Sequence, residues 1–356
     1  MKRRGMTILG AAVAVASLAL GGCATNRGLS AEEYFAIGMA YFEIGQNRAA
    51  NRAHYFTEAE RWLSRARSQD RTMMASAYNL GLLSFEMGRF GEAARQFESI
   101  LAHDPYNTLA LRAAAYTRIR MGEFEAASLL YERFLALVPE SADDGFNHAL
   151  VLFAMERYAD AEAVLRRNEL ALFENADFLL LYARSQGRQD KPEAIDSYAA
   201  WLTRYAGGGG GAVPVGTVRF EFAEVLEGRG LYARALEEFR AAQGEITAAA
   251  ENPSRADARF GVARVLLVAD PANPEGIAEL RGAVEGGFAD FDAMDALLED
   301  DRISGDVIYE ARAIVAGARR AAEGLADETD AALDAEPYAG AEGLTLEAAA
   351  DYEEGE

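Results

Sequence analysis

The chain has 356 residues, 51 % of them hydrophobic, and a formal net charge of -22 at pH 7. This composition is sufficient for a large buried core. The negative charge argues against nucleic acid and anionic lipid head groups as the main partners, because both would be repelled.

The first residues predict an export signal. Lys2, Arg3 and Arg4 precede the uncharged run from Met6 to Leu20, which is too short for a typical membrane-spanning helix. The sequence Leu-Gly-Gly-Cys at 20–23 resembles a bacterial lipobox, and Cys23 is the only cysteine. The resemblance implies removal of residues 1–22 and a diacylglyceryl group on the Cys23 thiol, with a further acyl chain such as palmitate on the new amine. The alternative is an uncleaved signal anchor with a free cysteine.

The residue after the lipobox bears on localisation. Ala24 stands where an inner-membrane retention signal usually has Asp, so the resemblance favours the outer membrane, on its periplasmic side. The inner membrane and the cell surface are the alternatives. Residues 23–30 are predicted to be a short tether, and with one cysteine the exported body must be stabilised by helix packing rather than by a disulfide.

The clearest periodicity lies in residues 74–140, where one pattern recurs after 34 residues. The recurring pairs are Gly88 and Gly122, Ala93 and Ala127, Phe97 and Tyr131, Ile100 and Phe134, and Pro105 and Pro139. A turn glycine, a small residue, an aromatic residue and a closing proline at this spacing predict two antiparallel helices per copy. The small residues Gly81 and Ala115 are expected to let the second helix approach the first. The pattern resembles the tetratricopeptide repeat (TPR) family, which implies an all-α solenoid of stacked helix pairs.

The same period extends the prediction to residues 31–206 as units one to five. The residues that place units one, four and five are Tyr34, Gly38, Tyr41, Ala59 and Leu63; Glu156, Tyr158, Ala161 and Leu165; and Ala183, Ala194, Tyr198 and Trp201. Repeat unit one has a longer connection between its two helices, and repeat unit four has lost the turn glycine and the closing proline.

The second half of the chain contains a break and an acidic end. Five glycines at 207–211 lack the strand and lysine of a phosphate-binding loop, so residues 207–215 are predicted to be a flexible linker or hinge. Residues 216–322 are predicted to form units six and seven and a capping helix, which makes about seven helix pairs in all. Residues 323–356 hold twelve acidic residues and no Lys or Arg, and are predicted to be a disordered tail that is solubilising or binds a basic partner.

No motif predicts catalysis. The three histidines, His54, His103 and His148, are far apart in the sequence, and there is no zinc spacing, nucleophile elbow or P-loop. We therefore predict no enzymatic activity, no metal, and no cofactor other than the covalent lipid on Cys23. His148 is expected to be a packed, hydrogen-bonded side chain.

In the TPR family the first helix of each unit lines a concave surface, so the resemblance implies a partner-binding groove. With units starting at Met74, Thr108 and Ala142, the predicted groove residues are Tyr78, Asn79, Arg112, Tyr116, Arg120, Phe146 and Asn147. The resemblance implies that Asn79 and Asn147 hold the backbone of an extended ligand, because an amide both donates and accepts. Arginines in the groove suit a carboxylate or acidic segment. The alternative is that the aromatic residues pack between repeats and the arginines pair with Glu123 or Glu125.

Together these features predict a non-enzymatic, lipid-anchored scaffold that binds a protein or peptide partner in the bacterial cell envelope. Analogy of architecture favours outer-membrane or secretion-complex assembly as its process. The alternatives are an accessory lipoprotein of a solute-binding or transport system and a regulator of a cell-wall enzyme.

Overall fold

The computed structural model describes residues 28–48, 50–168, 171, 174–207, 213–247, 252–303 and 305–329. Within these ranges there are sixteen helices of eight or more residues and no strand. The chain divides into two compact bodies that each contain several repeats. We call them the first unit, which ends at Arg157, and the second unit, which begins at Tyr158. The predicted signal, Cys23, and the tail from residue 330 onward lie outside the described residues.

The first unit contains seven helices, of which the first six form three consecutive antiparallel pairs. They are α1 (Ala31–Asn47), α2 (Arg52–Gln69), α3 (Met74–Glu86), α4 (Phe90–Leu101), α5 (Thr108–Arg120), α6 (Phe124–Leu137) and α7 (Ala142–Ala154). α3 and α5 begin at the residues that the 34-residue period predicts. Each second helix also packs against the first helix of the next pair. One buried cluster runs from α1 to α5, and another joins α5, α6 and α7.

The second unit contains nine helices. They are α8 (Tyr158–Arg166), α9 (Ala176–Arg188), α10 (Glu193–Tyr205), α11 (Val215–Gly228), α12 (Tyr232–Glu245), α13 (Arg255–Ala269), α14 (Pro274–Glu285), α15 (Phe291–Leu298) and α16 (Asp306–Thr329). Together, the two units confirm the predicted all-α fold of TPR-like helix pairs. α16 continues past Glu323, the predicted start of the tail, to Thr329, and the disorder of the acidic tail stays a prediction.

The turn between the helices of a repeat is built on a residue in the left-handed conformation. Gly88 and Gly122 both have φ of 73°, which confirms their predicted role. Glu156 and Asp190, at further steps of 34 residues, have φ of 59° and 53°. After each of these residues the next N–H donates to a carbonyl near the end of the preceding helix, as from Arg89 to Ser84 at 2.8 Å. The turn thus keeps its geometry where the glycine is lost.

Replacing Glu156 with glycine is expected to raise the free energy of unfolding by about 0.5–1 kcal/mol. A Cβ in the left-handed region costs about 1–2 kcal/mol, and part of this gain is lost to the larger unfolded-state entropy of glycine. Urea unfolding followed by circular dichroism measures the change. As the matched control, Gly122→Ala should lower stability by about 1 kcal/mol. A destabilised Glu156→Gly variant would contradict this explanation.

Close helix packing depends on Gly81. A Cβ at this position of α3 would lie 2.5 Å from Cε1 of Phe97 in α4, which is too close without displacement of the ring. The predicted role of Gly81 is confirmed, but it is the ring of Phe97, more than Ala93, that occupies the space. In the second unit Gly261 of α13 faces Phe239 of α12 at the same distance.

The helices before and after the predicted glycine linker share one core. Tyr198 of α10 stacks on Phe222 of α11, with ring centroids 5.7 Å apart and an interplanar angle of 17°. Trp201 and Val218 belong to the same buried cluster. Residues 208–212 lie outside the described part, so their flexibility stays a prediction. The flanking helices are nevertheless not separately packed modules.

Candidate partner-binding face

In the first unit, α3, α4 and α5 bring three aromatic rings and one guanidinium group together. The ring centroid of Phe85 lies 5.1 Å from that of Tyr116 and 5.2 Å from that of Phe90. The guanidinium carbon of Arg120 lies 4.9 Å from the Phe90 centroid and 5.7 Å from the Phe85 centroid. We name these four residues the aromatic–arginine patch. Its arginine is exposed, and Phe85 and Phe90 are half-buried.

The guanidinium group of Arg120 is held in place without an ion pair to a carboxylate of the described residues. Burial raises the pKa of the Tyr116 hydroxyl, and the charge of Arg120 and a hydrogen bond with it oppose this rise. The neighbouring Arg118 pairs with Glu98 and Glu123. Within the described residues, in contrast, Arg120 forms no ion pair with a carboxylate. The patch therefore presents one oriented positive charge beside apolar surface.

The two predicted groove tyrosines are buried. Tyr78 is 8 % exposed and Tyr116 is 5 % exposed, and the Tyr78 ring lies 5.7 Å from that of Phe97. Burial raises the pKa of Tyr78, and the charge of Arg112 opposes the rise. The expectation that these rings line an open groove is wrong, and they pack between helices as the alternative interpretation held. A periodic pattern assigns a residue to a helix face, but the neighbouring helix decides how much of it is covered.

Arg112 takes part in an ion pair within the protein. Its Nη2 donates to Oδ2 of Asp144 at 2.7 Å, which links α5 to α7. The Asp144 side chain is only 4 % exposed and also accepts a hydrogen bond from Ser141 at 2.6 Å. The alternative interpretation, in which an acidic residue of the protein pairs with the arginine, is therefore right for Arg112. The acidic residue is Asp144, however, and not Glu123 or Glu125. Arg112 is not a spare charge for a carboxylate ligand.

The remaining predicted groove residues are half-buried. Asn79 donates from Nδ2 to the backbone oxygen of Ala75 at 2.9 Å. Asn147 hydrogen-bonds Tyr131, which opposes the rise in the Tyr131 pKa that burial causes. Phe146 lies on the same helix as Asn147. Both amides thus already have one partner within the protein, and their contact with a ligand backbone stays a prediction.

His148 is a packing residue, as expected. It is 3 % exposed. Its ring stacks on Tyr131, with centroids 5.9 Å apart, and Nε2 lies 3.0 Å from the hydroxyl oxygen of Ser128. These contacts join α6 to α7.

A buried carboxylate in the second unit was not identified from the sequence. The side chain of Glu162 is 4 % exposed. Its Oε2 lies 2.5 Å from Nζ of Lys191, and its Oε1 lies 2.6 Å from Nη2 of Arg166. Gln189 also donates to it at 2.9 Å, beside an open cavity of about 570 Å³. The position of Glu162 directly after the packing residue Ala161 gives no signal that it faces inward, because consecutive residues lie about 100° apart around a helix.

We expect Glu162→Gln to reduce the acid sensitivity of the second unit. Burial alone would raise the pKa of Glu162, but hydrogen bonds from Lys191, Gln189 and Gln186 lower it below the ordinary value of 4.5. A lowered pKa stabilises the fold above the unfolded-state pKa, and this stability is lost as the pH falls through the folded-state pKa. Denaturant unfolding at a series of pH values should therefore decline more steeply in the wild type.

At neutral pH the same variant should lose about 1.5–3 kcal/mol, the usual contribution of hydrogen bonds to a charged group. Glu193→Gln, at an exposed carboxylate of the same unit, is the matched control and should leave the acid decline unchanged. Parallel pH profiles for the wild type and Glu162→Gln would rule the proposed linkage out.

None of the helices in the described ranges combines the length and apolarity of a membrane span. In the same part of the chain, no group of three or more His, Cys, Asp or Glu side chains is arranged to hold a metal ion.

Repeated antiparallel helix pairs with turns at a fixed period define a helical-repeat scaffold. A family model described as tetratricopeptide repeat matches residues 84–144. These residues are therefore tetratricopeptide repeats, as the sequence pattern predicted. Repeats of this class serve as protein-interaction scaffolds and are typically not catalytic. A search of curated proteins finds no match.

Several solved structures resemble the fold. A TPR protein from Parabacteroides merdae is 17 % identical, with 78 % of this chain and 98 % of that chain covered and a TM-score of 0.46. YrrB, a TPR protein with an unusual peptide-binding site, is 18 % identical over 57 % of this chain and 98 % of its own, with a TM-score of 0.45. MamA is 20 % identical, with 48 % of this chain and 91 % of that chain covered and a TM-score of 0.44. At TM-scores below 0.5, these likenesses carry no inference about a partner.

Proposed function

We propose that the protein is a non-enzymatic, lipid-anchored scaffold of the bacterial cell envelope that holds a protein partner at the aromatic–arginine patch. The observation that carries this proposal is the state of Arg120. Its guanidinium group is oriented by two rings and a tyrosine, and it forms no ion pair with a carboxylate of the described residues. In a chain of net charge -22, such a cation is suited to an external anion.

The chemistry of the patch defines the partner segment. A carboxylate on the partner would accept charge-assisted hydrogen bonds from Arg120. An adjacent apolar side chain would cover Phe85 and Phe90, which are half-buried. Aromatic residues and arginine are the residue types in which binding energy is concentrated at protein interfaces. We therefore expect a segment with an Asp or Glu next to a large apolar residue.

Arg120→Glu is expected to weaken capture of the partner at least about tenfold, because the reversed charge repels the carboxylate. The melting temperature should fall by only a few degrees, since the variant loses the contacts of Arg120 with Phe85 and Phe90, and an exposed cation–π contact contributes about 0.5–1 kcal/mol. The partner is first captured by a photocrosslinking residue at Phe85, which is more accessible than Tyr116. Its affinity for each purified variant is then measured.

Arg95→Glu is the matched control for this experiment. Arg95 is exposed on α4, and its substitution makes the same change in net charge. Capture should persist in the Arg95→Glu variant. Equal capture by both variants would contradict a role for the patch.

The proposed anchor is the lipid on Cys23. Two or more acyl chains hold a protein firmly on a membrane, whereas one gives only reversible binding. Mass analysis of the N-terminal peptide should find acyl chains on Cys23 and none in a Cys23→Ser variant, which should leave the membrane fraction. Separation of the two membranes by density tests the proposed outer-membrane location. An unmodified Cys23 in membrane-purified protein would refute the anchor.

We propose outer-membrane or secretion-complex assembly as the process, on analogy of architecture alone. An accessory role in solute transport and regulation of a cell-wall enzyme are the rival processes. The partner captured from Phe85 separates them, because each process supplies a different class of protein.

A further inference from the structure

One face of the first helix pair carries an aromatic surface that no other described repeat covers. Tyr34 of α1 stacks on Trp62 of α2, with ring centroids 5.7 Å apart and an interplanar angle of 25°. Both side chains are half-buried. At the position that corresponds to Tyr34, the next two helix pairs have Ala77 and Leu111, which are fully buried. There the second helix of the preceding pair packs on the first helix. At the first pair, this face has no such cover among the described residues.

Two arginines flank the Trp62 ring of this half-buried aromatic pair. The guanidinium carbons of Arg61 and Arg65 lie 4.8 Å and 5.0 Å from the Trp62 ring centroid. Arg61 also pairs with Glu58 at 3.1 Å, whereas Arg65 forms no ion pair within the described residues. The stretch 48–71 contains six arginines and three acidic residues, in a chain that is otherwise strongly acidic. We name Tyr34, Arg61, Trp62 and Arg65 the Trp62 face.

The indole N–H of Trp62 is a buried hydrogen-bond donor. Its Nε1 is inaccessible to solvent and finds no acceptor among the described residues. A buried donor without an acceptor costs free energy. Because this nitrogen is covered, an external anion would meet the guanidinium groups of Arg61 and Arg65 rather than the indole N–H. These two guanidinium groups over an aromatic ring give the face the chemistry of an anion-binding aromatic surface.

The position of this face along the chain indicates which surface it meets. Ala31, the first residue of α1, is only eight residues after Cys23. Eight residues span at most about 27 Å, so an anchor at Cys23 would keep the first turn of α1 close to the membrane. Tyr34 lies in that turn, and Trp62 stacks on it. Trp and Tyr are the residues enriched at membrane–water interfaces, and arginine binds phosphate.

We propose that the Trp62 face docks onto the phospholipid head-group layer of the membrane that holds the Cys23 anchor. This inference rests on the proposed lipidation. It adds a second, non-covalent contact that orients the first unit on the bilayer. The negative charge of the whole chain disfavours binding to anionic lipid in general, so the docking depends on this local group of arginines being brought to the surface by the anchor.

Bromolipid quenching of tryptophan fluorescence tests the proposal, because the chain has only two tryptophans. Lipidated full-length protein is reconstituted into phosphatidylethanolamine and phosphatidylglycerol vesicles, with and without brominated acyl chains. Trp201 is 0 % exposed in the second unit and serves as an internal reference. The bromolipid should lower the Trp62 emission, because the interfacial layer in which tryptophan is enriched borders the brominated acyl chains. In the Trp62→Phe variant the remaining emission should be unaffected by bromolipid.

A charge-reversal variant provides the second arm. Arg61→Glu with Arg65→Glu should restore most of the Trp62 emission, while the acyl chains keep the protein on the vesicles in a flotation assay. If vesicle-bound protein shows no quenching of Trp62, the docking inference is overturned and the anchor stands. If mass analysis finds no acyl chain on Cys23, the anchor itself fails. Protection of Trp62 from iodide that rises with protein concentration in the absence of vesicles would assign the face to a second copy of the chain, which also overturns lipid docking.

Discussion

Replacing Trp201 with alanine is expected to lower the free energy of unfolding of the second unit by about 3–5 kcal/mol, the usual cost of removing a large core aromatic. The Trp201 side chain is fully buried, and its Nε1 donates to the backbone oxygen of Ala176 at 2.9 Å. It also lies in the cluster that joins the helices before and after the glycine segment. The substitution should therefore loosen α10 from α11 as well as from α9.

Urea unfolding followed by far-ultraviolet circular dichroism measures this loss, since the variant lacks the fluorescence of Trp201. Trp201→Phe is the matched control. It retains an aromatic ring but loses the hydrogen bond and part of the volume, so its cost should be smaller, about 1–3 kcal/mol. A loss below about 1 kcal/mol for Trp201→Ala would show that these helices do not depend on a common core.

Arg112→Glu is expected to lower the stability of the first unit by about 3 kcal/mol, because it places a second carboxylate against the buried Asp144. Asp144 is 4 % exposed and depends on Arg112 and Ser141 for its hydrogen bonds. Thermal and urea unfolding measure the loss. A fall in partner capture by this variant could not be assigned to the binding face, which is why Arg120 is the better probe.

Adding Asp144→Asn to the Arg112→Glu variant should restore part of the lost stability, because the like-charge contact is then removed. Arg95→Glu makes the same change in net charge at an exposed position of the same unit and should be within about 0.5 kcal/mol of the wild type. If Arg112→Glu is as stable as Arg95→Glu, the ion pair does not stabilise the fold as its geometry indicates.

The sequence predicted the repeat architecture well because its determinants are local. A glycine before a helix start, a small residue at the helix contact and a buried aromatic each act within one 34-residue unit. The starts of α3 and α5 and the left-handed turns at Gly88 and Gly122 follow from these determinants. Position 156 has glutamate in place of the glycine and adopts the same left-handed conformation, with φ of 59°.

The candidate face was only partly predictable, because it depends on contacts between units. Arg112 and Arg120 lie eight residues apart on α5, and their residue type is the same. Only the structure shows that the first meets Asp144 of α7 while the second rests on Phe85 and Phe90. In the same way, Tyr78 and Tyr116 have the expected helix position but are covered by neighbouring side chains.

By itself, then, the sequence determined the helical pairs, their period and their turns, because these follow from backbone conformation and the spacing of apolar residues. Tertiary structure alone decided which charges are neutralised, that α10 and α11 pack into one core, and that the aromatic pair of Tyr34 and Trp62 is left uncovered. The physical reason is that burial and ion pairing are properties of neighbouring helices, and no single repeat carries the information about what its neighbour places against it.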